Sequence, residues 1–129
     1  MKSLNLVSEY SYSSMRIVSG FAFASHGVQK VLGGFGADQP VELISLLGFA
    51  GIVELVGGTL ISLGLYTALS AFLASGQMAA AYFMAHQPQG FWPIVNGGEL
   101  AVLYCFMFLY IASRGPGAVS LDRLIRGFR

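Results

Sequence analysis

Seven polar side chains that could do chemistry stand inside otherwise apolar stretches of this sequence. They comprise a histidine, a lysine, two glutamates and three amides: His26, Gln29, Lys30, Glu54, Gln77, Asn96 and Glu99. A charge at the centre of a bilayer costs about 2.5 to 3.5 kcal/mol even on lenient insertion scales, so such residues are expected to face inward and to be paired. Carboxylates beside a lysine and a histidine are typical of sites that handle protons.

The charges of this set do not balance. Lys30 can neutralise Glu54 or Glu99 but not fully both. The remaining carboxylate then needs a proton, an amide hydrogen bond, or a protonated His26. A proton-handling site is one interpretation. The other is that the polar network only holds packed helices in register.

The composition limits the class of protein. The chain has 129 residues, of which 55% are hydrophobic and 10% charged, and its mean hydropathy is +0.68. These values indicate a single integral membrane domain spanning residues 1–129. The net charge of +1, with scattered basic residues, excludes a nucleic-acid partner. The single cysteine, Cys105, excludes an internal disulfide or a cluster of thiolate ligands.

A bilayer crossing needs roughly 20 mostly apolar residues, and the sequence contains four such stretches. Their bounds are about 15–35, 43–66, 67–87 and 94–113. No stretch alternates with the period of two that is typical of strands. The fold class predicted is therefore an all-α membrane protein, a bundle of four transmembrane helices. A signal peptide ending near Ala24 is disfavoured because the apolar run continues beyond it.

The predicted helices place polar groups from all four spans at similar depths. A rise of 1.5 Å per residue puts Lys30 about 21 Å up the first span, Glu54 about 18 Å up the second, and Gln77 about 15 Å up the third. Glu99 comes out about 21 Å up the fourth span. The small-residue pairs Gly20 with Ala24 and Gly97 with Ala101 are expected to let neighbouring helices approach closely.

Basic residues predict the orientation, because they are retained on the cytoplasmic side of a membrane. They flank the first span at Lys2 and Arg16 and follow the fourth span, whereas the first turn carries Asp38 and Glu42. Both termini are therefore expected in the cytoplasm. A short interfacial helix of about 118–129, capped by Ser120, should follow the fourth span, with apolar and charged residues on opposite faces: Leu121, Leu124, Ile125 and Phe128 against Asp122, Arg123, Arg126 and Arg129.

Two cofactor sites are disfavoured by spacing. A metal site is not predicted, because neither Glu54 nor Glu99 has a histidine three residues further on. A haem held by His26 and His86 is disfavoured because the same count places His86 about 13 Å further along the membrane normal. His86 is instead interpreted as part of an interfacial aromatic belt with Tyr82 and Trp92.

Four segments of the chain resemble the DoxX family of small bacterial membrane proteins. They are Arg16–Gly20 through His26–Lys30, Gly51–Gly58 with Gly64-Leu65, Asn96–Ala101, and Gly115–Gly117 with Ser120–Asp122. The likeness extends from Arg16 to Leu124. It implies a four-helix fold in the bacterial inner (cytoplasmic) membrane, and an oxidoreductase role, since some members are linked to thiosulfate oxidation and quinone reduction.

The resemblance leads to the main functional hypothesis, a membrane subunit of a quinone-linked oxidoreductase system. In it, the catalytic residues are His26, Lys30, Glu54 and Glu99, and Gln29, Gln77 and Asn96 bind a quinone, the one candidate cofactor. The sequence shows no electron carrier of its own, so a protein partner or larger membrane complex must bring the electrons. The alternative is a non-catalytic anchor that stabilises a larger complex. A carrier or proton path is disfavoured because no inverted repeat or broken span is visible.

Overall fold

The structure, a computed structural model, describes residues 2–127, and all regular structure within them is helical. The prediction of an all-α chain is confirmed. The helices, in chain order, are α1 (Lys2–Leu32), α2 (Leu46–Leu63), α3 (Thr67–Ala81), α4 (Pro93–Asn96), α5 (Glu99–Arg114) and α6 (Leu121–Arg126). Two short turns continue α3, a π-helical turn at Tyr82–His86 and a 3-10 turn at Gln87–Gln89.

The ends of α2 explain why α2 and α3 form a tight hairpin. The Ser45 hydroxyl accepts a hydrogen bond from the Gly48 amide at 3.0 Å, which caps the start of α2. At the other end Gly64 takes a left-handed conformation, with φ of 70°, and its amide bonds the Ile61 carbonyl. Glycine adopts this conformation without steric cost, so α2 stops there and α3 begins three residues later.

Small residues bring α1 and α2 into close contact. A Cβ atom on Gly58 would overlap the backbone of Ala24, and one on Gly20 would overlap the backbone of Ser62. The predicted packing role of Gly20 and Ala24 is thus confirmed. Gly97 behaves differently, because its φ of 72° ends α4 and a Cβ there would meet nothing within 4 Å.

Aromatic side chains join α1 to α5 and complete the contacts among the four long helices. The Phe23 ring of α1 lies 4.8 Å from the Phe108 ring and 5.5 Å from the Tyr104 ring, centroid to centroid. The last two are stacked at 5.2 Å. Since α2 packs on α1 and α3, and α3 on α5, each long helix touches two others.

Within residues 2–127, two helical stretches are by themselves long and apolar enough to cross a bilayer. They are Leu46–Leu63, with a mean hydropathy of 1.9, and Thr67–Gln89, with 1.3. The helices at the other two predicted spans differ from the expectation: α1 starts well before residue 15 with a polar half, and α5 has only 16 residues. Even so, a phenylalanine on each of the four long helices is 61% to 66% exposed: Phe21, Phe49, Phe72 and Phe106.

The predicted fourth span is interrupted in the structure. Helix α4 ends at Asn96, and α5 starts at Glu99 after the turn at Gly97. Asn96 and Glu99, both within the predicted fourth span of about 94–113, therefore belong to different helices. The prediction that no span is broken, which was an argument against a carrier, is wrong at this position.

The short C-terminal helix is observed, but one of its residues, Asp122, faces the protein and not the solvent. Ser120 caps α6 as predicted, its hydroxyl accepting from the Arg123 amide at 3.3 Å. Leu124 is 75% exposed, whereas Asp122, expected on the outward polar face, is buried against α3. Phe128 and Arg129, part of the predicted helix of about 118–129, lie outside the described residues.

Candidate functional site

The centre of the site is an ion pair between α1 and α2. Lys30 Nζ lies 2.5 Å from Glu54 Oε1. The Glu54 side chain is only 3% exposed and that of Lys30 is 28% exposed. Of the two carboxylates that the sequence offered as partners for Lys30, the structure selects Glu54. A buried carboxylate needs such a partner, because an uncompensated charge in an apolar interior is costly.

Gln77 ties this ion pair to α3. Its side-chain amide donates to Glu54 Oε1 at 3.1 Å and to the backbone carbonyl of Ala50 at 3.3 Å. Two acceptor atoms next to these bonds, Glu54 Oε2 and Gln77 Oε1, are buried and make no hydrogen bond to the described residues. Buried polar atoms are normally paired, so these two are sites where a ligand or water donor would be stabilised.

The ion pair lines a cleft of about 650 Å³ between α1, α2, α3 and α5. Most of the wall is apolar, formed by leucine, alanine, methionine and aromatic side chains, and the titratable residues are few. These are His26, Lys30, Glu54, His86 and Tyr104. A mainly apolar cleft with a few polar groups on one wall is the usual form of a small-molecule site.

His26 lies on the cleft wall without a hydrogen bond to the residues described. Its ring meets the Tyr104 ring edge-on, with the centroids 6.5 Å apart. Since the His26 side chain is exposed, it is open to a ligand or to water. His26 and Lys30 are four residues apart on α1, so they share one face of that helix, and both line the cleft.

His86 also lines the cleft, which the sequence did not suggest. The π-helical turn at the end of α3 carries it there, and π-helical turns occur frequently at functional sites. His86 Nδ1 lies 3.2 Å from the Asn96 carbonyl oxygen, and its ring stacks on Tyr82 at 6.4 Å. In the sequence, His86 lies near the end of the predicted span of about 67–87. Counting a rise of about 1.5 Å per residue, however, places it too far from His26 to share a site.

Three predicted site residues do not line the cleft. Gln29 donates to the Phe35 carbonyl at 3.3 Å and so belongs to the end of α1. Asn96 is buried in the α4–α5 turn, where it bonds Tyr82, Gly90 and Gly98. Glu99 is exposed in the first turn of α5, and its carboxylate makes no hydrogen bond or ion pair with the residues described. Among residues 2–127, no group of three metal-ligating side chains comes together.

A second polar cluster, which sequence analysis missed, lies at the opposite end of the helices. Arg16 is completely buried and donates to the carbonyls of Ile61, Ser62 and Val119. By sequence, Arg16 is expected to flank the first span on its N-terminal side. Its guanidinium instead ties the end of α2 to the segment before α6, where cations are favoured by the helix dipole.

Asp122 belongs to the same cluster. It accepts hydrogen bonds from the Tyr66 amide and from both the amide and the hydroxyl of Thr67, each at 2.9 Å. Burial alone would raise the pKa of Asp122. The hydrogen bonds from Thr67 and Tyr66 favour the ionised form and outweigh burial, so its pKa lies below the ordinary value for aspartate.

Most of the residues that form the cleft lie in a part of the chain that matches a known protein family. The model of the DoxX family matches residues 12–87, which carry the Lys30–Glu54 pair, Gln77 and both cleft histidines. The chain belongs to the DoxX family. The matched part of this DoxX protein holds α2, α3, most of α1 and the π-helical turn, and the remaining wall of the cleft comes from Gly97 and α5.

Relatives extend the likeness over most of the DoxX chain. An uncharacterised protein of Haemophilus influenzae is 41% identical, covering 95% of this chain and 96% of its own length. An uncharacterised membrane protein of Mycobacterium tuberculosis is 30% identical, with coverage of 84% and 77%. The inner membrane protein YqjF of Escherichia coli is also 30% identical, with coverage of 85% and 88%. No solved structure matches. The chain is thus a membrane protein of the DoxX family.

Proposed function

We propose that this DoxX protein is the membrane subunit of a quinone-linked oxidoreductase system, and that the cleft receives the quinone headgroup. The observation that carries the proposal is the Lys30–Glu54 pair on the wall of a mainly apolar cleft, beside two unpartnered buried acceptors. An apolar ring fits the apolar walls, and its oxygens find polar partners at one end only.

The residues of the cleft would have separate roles in this function. Lys30 Nζ can donate to an oxygen of the headgroup, since one ion pair leaves it further N–H donors. Glu54 and His26 can hold or release protons when the bound oxygens change protonation. Gln77 keeps Glu54 in place through its side-chain amide. A bound quinone would supply the electron-carrying chemistry, and the electrons would come from a protein partner.

The proposal includes a topology of four spans in the inner membrane, with both termini in the cytoplasm. Its support is the exposed phenylalanine on each long helix, because large apolar side chains on all outer faces suit contact with lipid tails. YqjF of Escherichia coli is named as an inner membrane protein. In this topology the cluster of Arg16 and Asp122 lies on the cytoplasmic side and the turn at Asp38 lies outside.

The test is binding of decylubiquinone to the purified protein in lipid nanodiscs, measured by titration calorimetry. The double variant Lys30→Met/Glu54→Gln removes both charges together and so leaves no unpaired charge behind. We expect its affinity to fall by about tenfold or more, the value of a hydrogen bond from a charged donor. Asp38→Asn is the control, because it removes a carboxylate in the exposed turn after α1.

The same experiment separates the proposal from a purely structural role. If wild type does not bind, or if the double variant binds as wild type does, the cleft is not the quinone site. The alternative of a non-catalytic anchor then replaces this function. Purification in mild detergent, with identification of the proteins and quinones that accompany the chain, would identify the redox partner.

A further inference from the structure

The backbone partner of His86 determines which ring nitrogen carries the hydrogen in the neutral imidazole. Nδ1 lies 3.2 Å from the Asn96 carbonyl oxygen. A carbonyl oxygen only accepts hydrogen bonds, so Nδ1 must carry the hydrogen. In a neutral imidazole the other nitrogen then holds a lone pair. Nε2 of His86 is therefore an acceptor, and it makes no hydrogen bond to the residues described.

The carbonyl that selects this tautomer is firmly held. The Asn96 side chain donates to Gly90 at 2.7 Å and to the Tyr82 hydroxyl at 3.2 Å, and it accepts from the Gly98 amide at 2.8 Å. A Cβ atom on Gly98 would lie only 2.9 Å from Cβ of His86, which shows how closely the turn packs on the histidine. The turn between α4 and α5 is thus a support for the ring of His86.

The other titratable groups that face the cleft come from three helices. They are His26 and Lys30 on α1, Glu54 on α2 and Tyr104 on α5, and Tyr82 stacks beneath the His86 ring. Lys30 is the cationic donor among them, and Glu54 Oε2 and Gln77 Oε1 add unpartnered acceptors. The cleft therefore offers a donor at Lys30 and an acceptor at His86.

We propose that Nε2 of His86 accepts a hydrogen bond from a hydroxyl group of the ligand, so that the cleft binds the dihydroxy, reduced form of a quinone more tightly than the oxidised form. Lys30 can donate to an oxygen of either form and does not discriminate between them. His86 can pair only with a hydroxyl. This inference rests on the proposed function, and it adds the redox form that the site prefers.

The tautomer is tested without any ligand. The sequence has two histidines, so the variant His26→Asn, produced without a histidine tag, leaves His86 as the only one. Nitrogen-15 NMR of labelled histidine at alkaline pH should show a protonated Nδ1 and an unprotonated Nε2. The opposite tautomer, with the hydrogen on Nε2, would overturn the inference.

The preference is tested with a short-chain benzoquinone and its hydroquinone, titrated anaerobically into the protein in nanodiscs. We expect the hydroquinone to bind about fivefold more tightly, the value of one hydrogen bond. His86→Asn keeps a donor near the position of Nδ1 and loses the acceptor, so it should reduce the preference, and any remainder would come from the acceptors Glu54 Oε2 and Gln77 Oε1. His86→Gln, whose longer amide places an oxygen near the position of Nε2, should retain part of it.

The outcomes for the inference and for the proposed function differ. Equal binding of the two forms by wild type, or a preference that His86→Asn leaves unchanged, would overturn the inference and leave the quinone site in place. If neither form binds to wild type, the proposed function itself fails. The NMR result would still report the tautomer in that case.

Discussion

Asp122 caps a helix that begins 55 residues before it in the chain. One of its carboxylate oxygens accepts from both the amide and the hydroxyl of Thr67, and the other accepts from the Tyr66 amide. A helix start is usually capped by the residue at its own first position. Tyr66 holds that position in α3 and makes no side-chain cap, so the C-terminal segment supplies it. The end of the chain thus stabilises the α2–α3 hairpin.

Replacing Asp122 by alanine should destabilise the protein by about 2 kcal/mol, because Thr67 and Tyr66 then lose their buried acceptor. The measurement is thermal unfolding in mild detergent. Arg126→Gln is the matched control on the same helix, since the Arg126 side chain is 66% exposed and 3.9 Å from Asp122. If both variants lose equal stability, the cap does not have this role.

The Asp122 carboxylate should make the stability of the folded protein depend on pH. Its pKa is lower in the folded protein than in the unfolded chain, so the folded state favours the ionised form. This stabilisation is complete above the unfolded pKa of about 3.9, and it is lost as the pH falls through the lower folded value. Wild type should therefore lose stability below about pH 4 more steeply than Asp122→Asn does. Parallel curves for the two proteins would assign the acid loss to other groups.

A double-mutant cycle tests which glutamate is the partner of Lys30. Lys30→Met should destabilise the protein, because Glu54 is left buried without its counter-charge. Adding Glu54→Gln should recover about 1 to 3 kcal/mol, whereas adding Glu99→Gln should recover nothing. Chemical unfolding in detergent gives the four free energies of each cycle. Recovery by Glu99→Gln would contradict the arrangement described.

Two adjacent glycines of α2 should respond in opposite ways to alanine. A Cβ on Gly58 would overlap the backbone of α1, so Gly58→Ala should cost about 2 kcal/mol or more. A Cβ on Gly57 would meet nothing within 4 Å, and alanine favours a helix over glycine by up to about 1 kcal/mol. Gly57→Ala should therefore be neutral or stabilising. Thermal unfolding of both variants is the measurement, and an equal loss in both would argue against close packing of α1 on α2.

The proposed topology is tested with reporter fusions in a bacterial host. Fusions at residue 1 and after residue 129 should both report the cytoplasm, because basic residues cluster near both ends of the chain. A reporter inserted beside Asp38 should report the outside. Opposite locations for the two termini would exclude four spans.

The sequence alone determined the class of the fold and part of the site. Its apolar runs predicted an all-α membrane chain, because apolar segments of about 20 residues without a period of two are typical of membrane helices and too long for strands. The boundary between the second and third spans near residue 66 and the cap at Ser120 were also predicted, since both depend on local residue types. Lys30 and Glu54 could be brought to one depth by the constant rise of a helix.

Tertiary structure decided what depends on the side that a residue faces and on segments far apart in the chain. Counting along ideal helices cannot find the π-helical turn that carries His86 into the cleft, or the break at Gly97 that takes Glu99 away from Lys30. The choice between Glu54 and Glu99 depends on how α1 packs against its neighbours. Arg16 and Asp122 look like surface charges in the sequence, and only the packing of the C-terminal segment on the α2–α3 hairpin makes them buried partners of backbone groups.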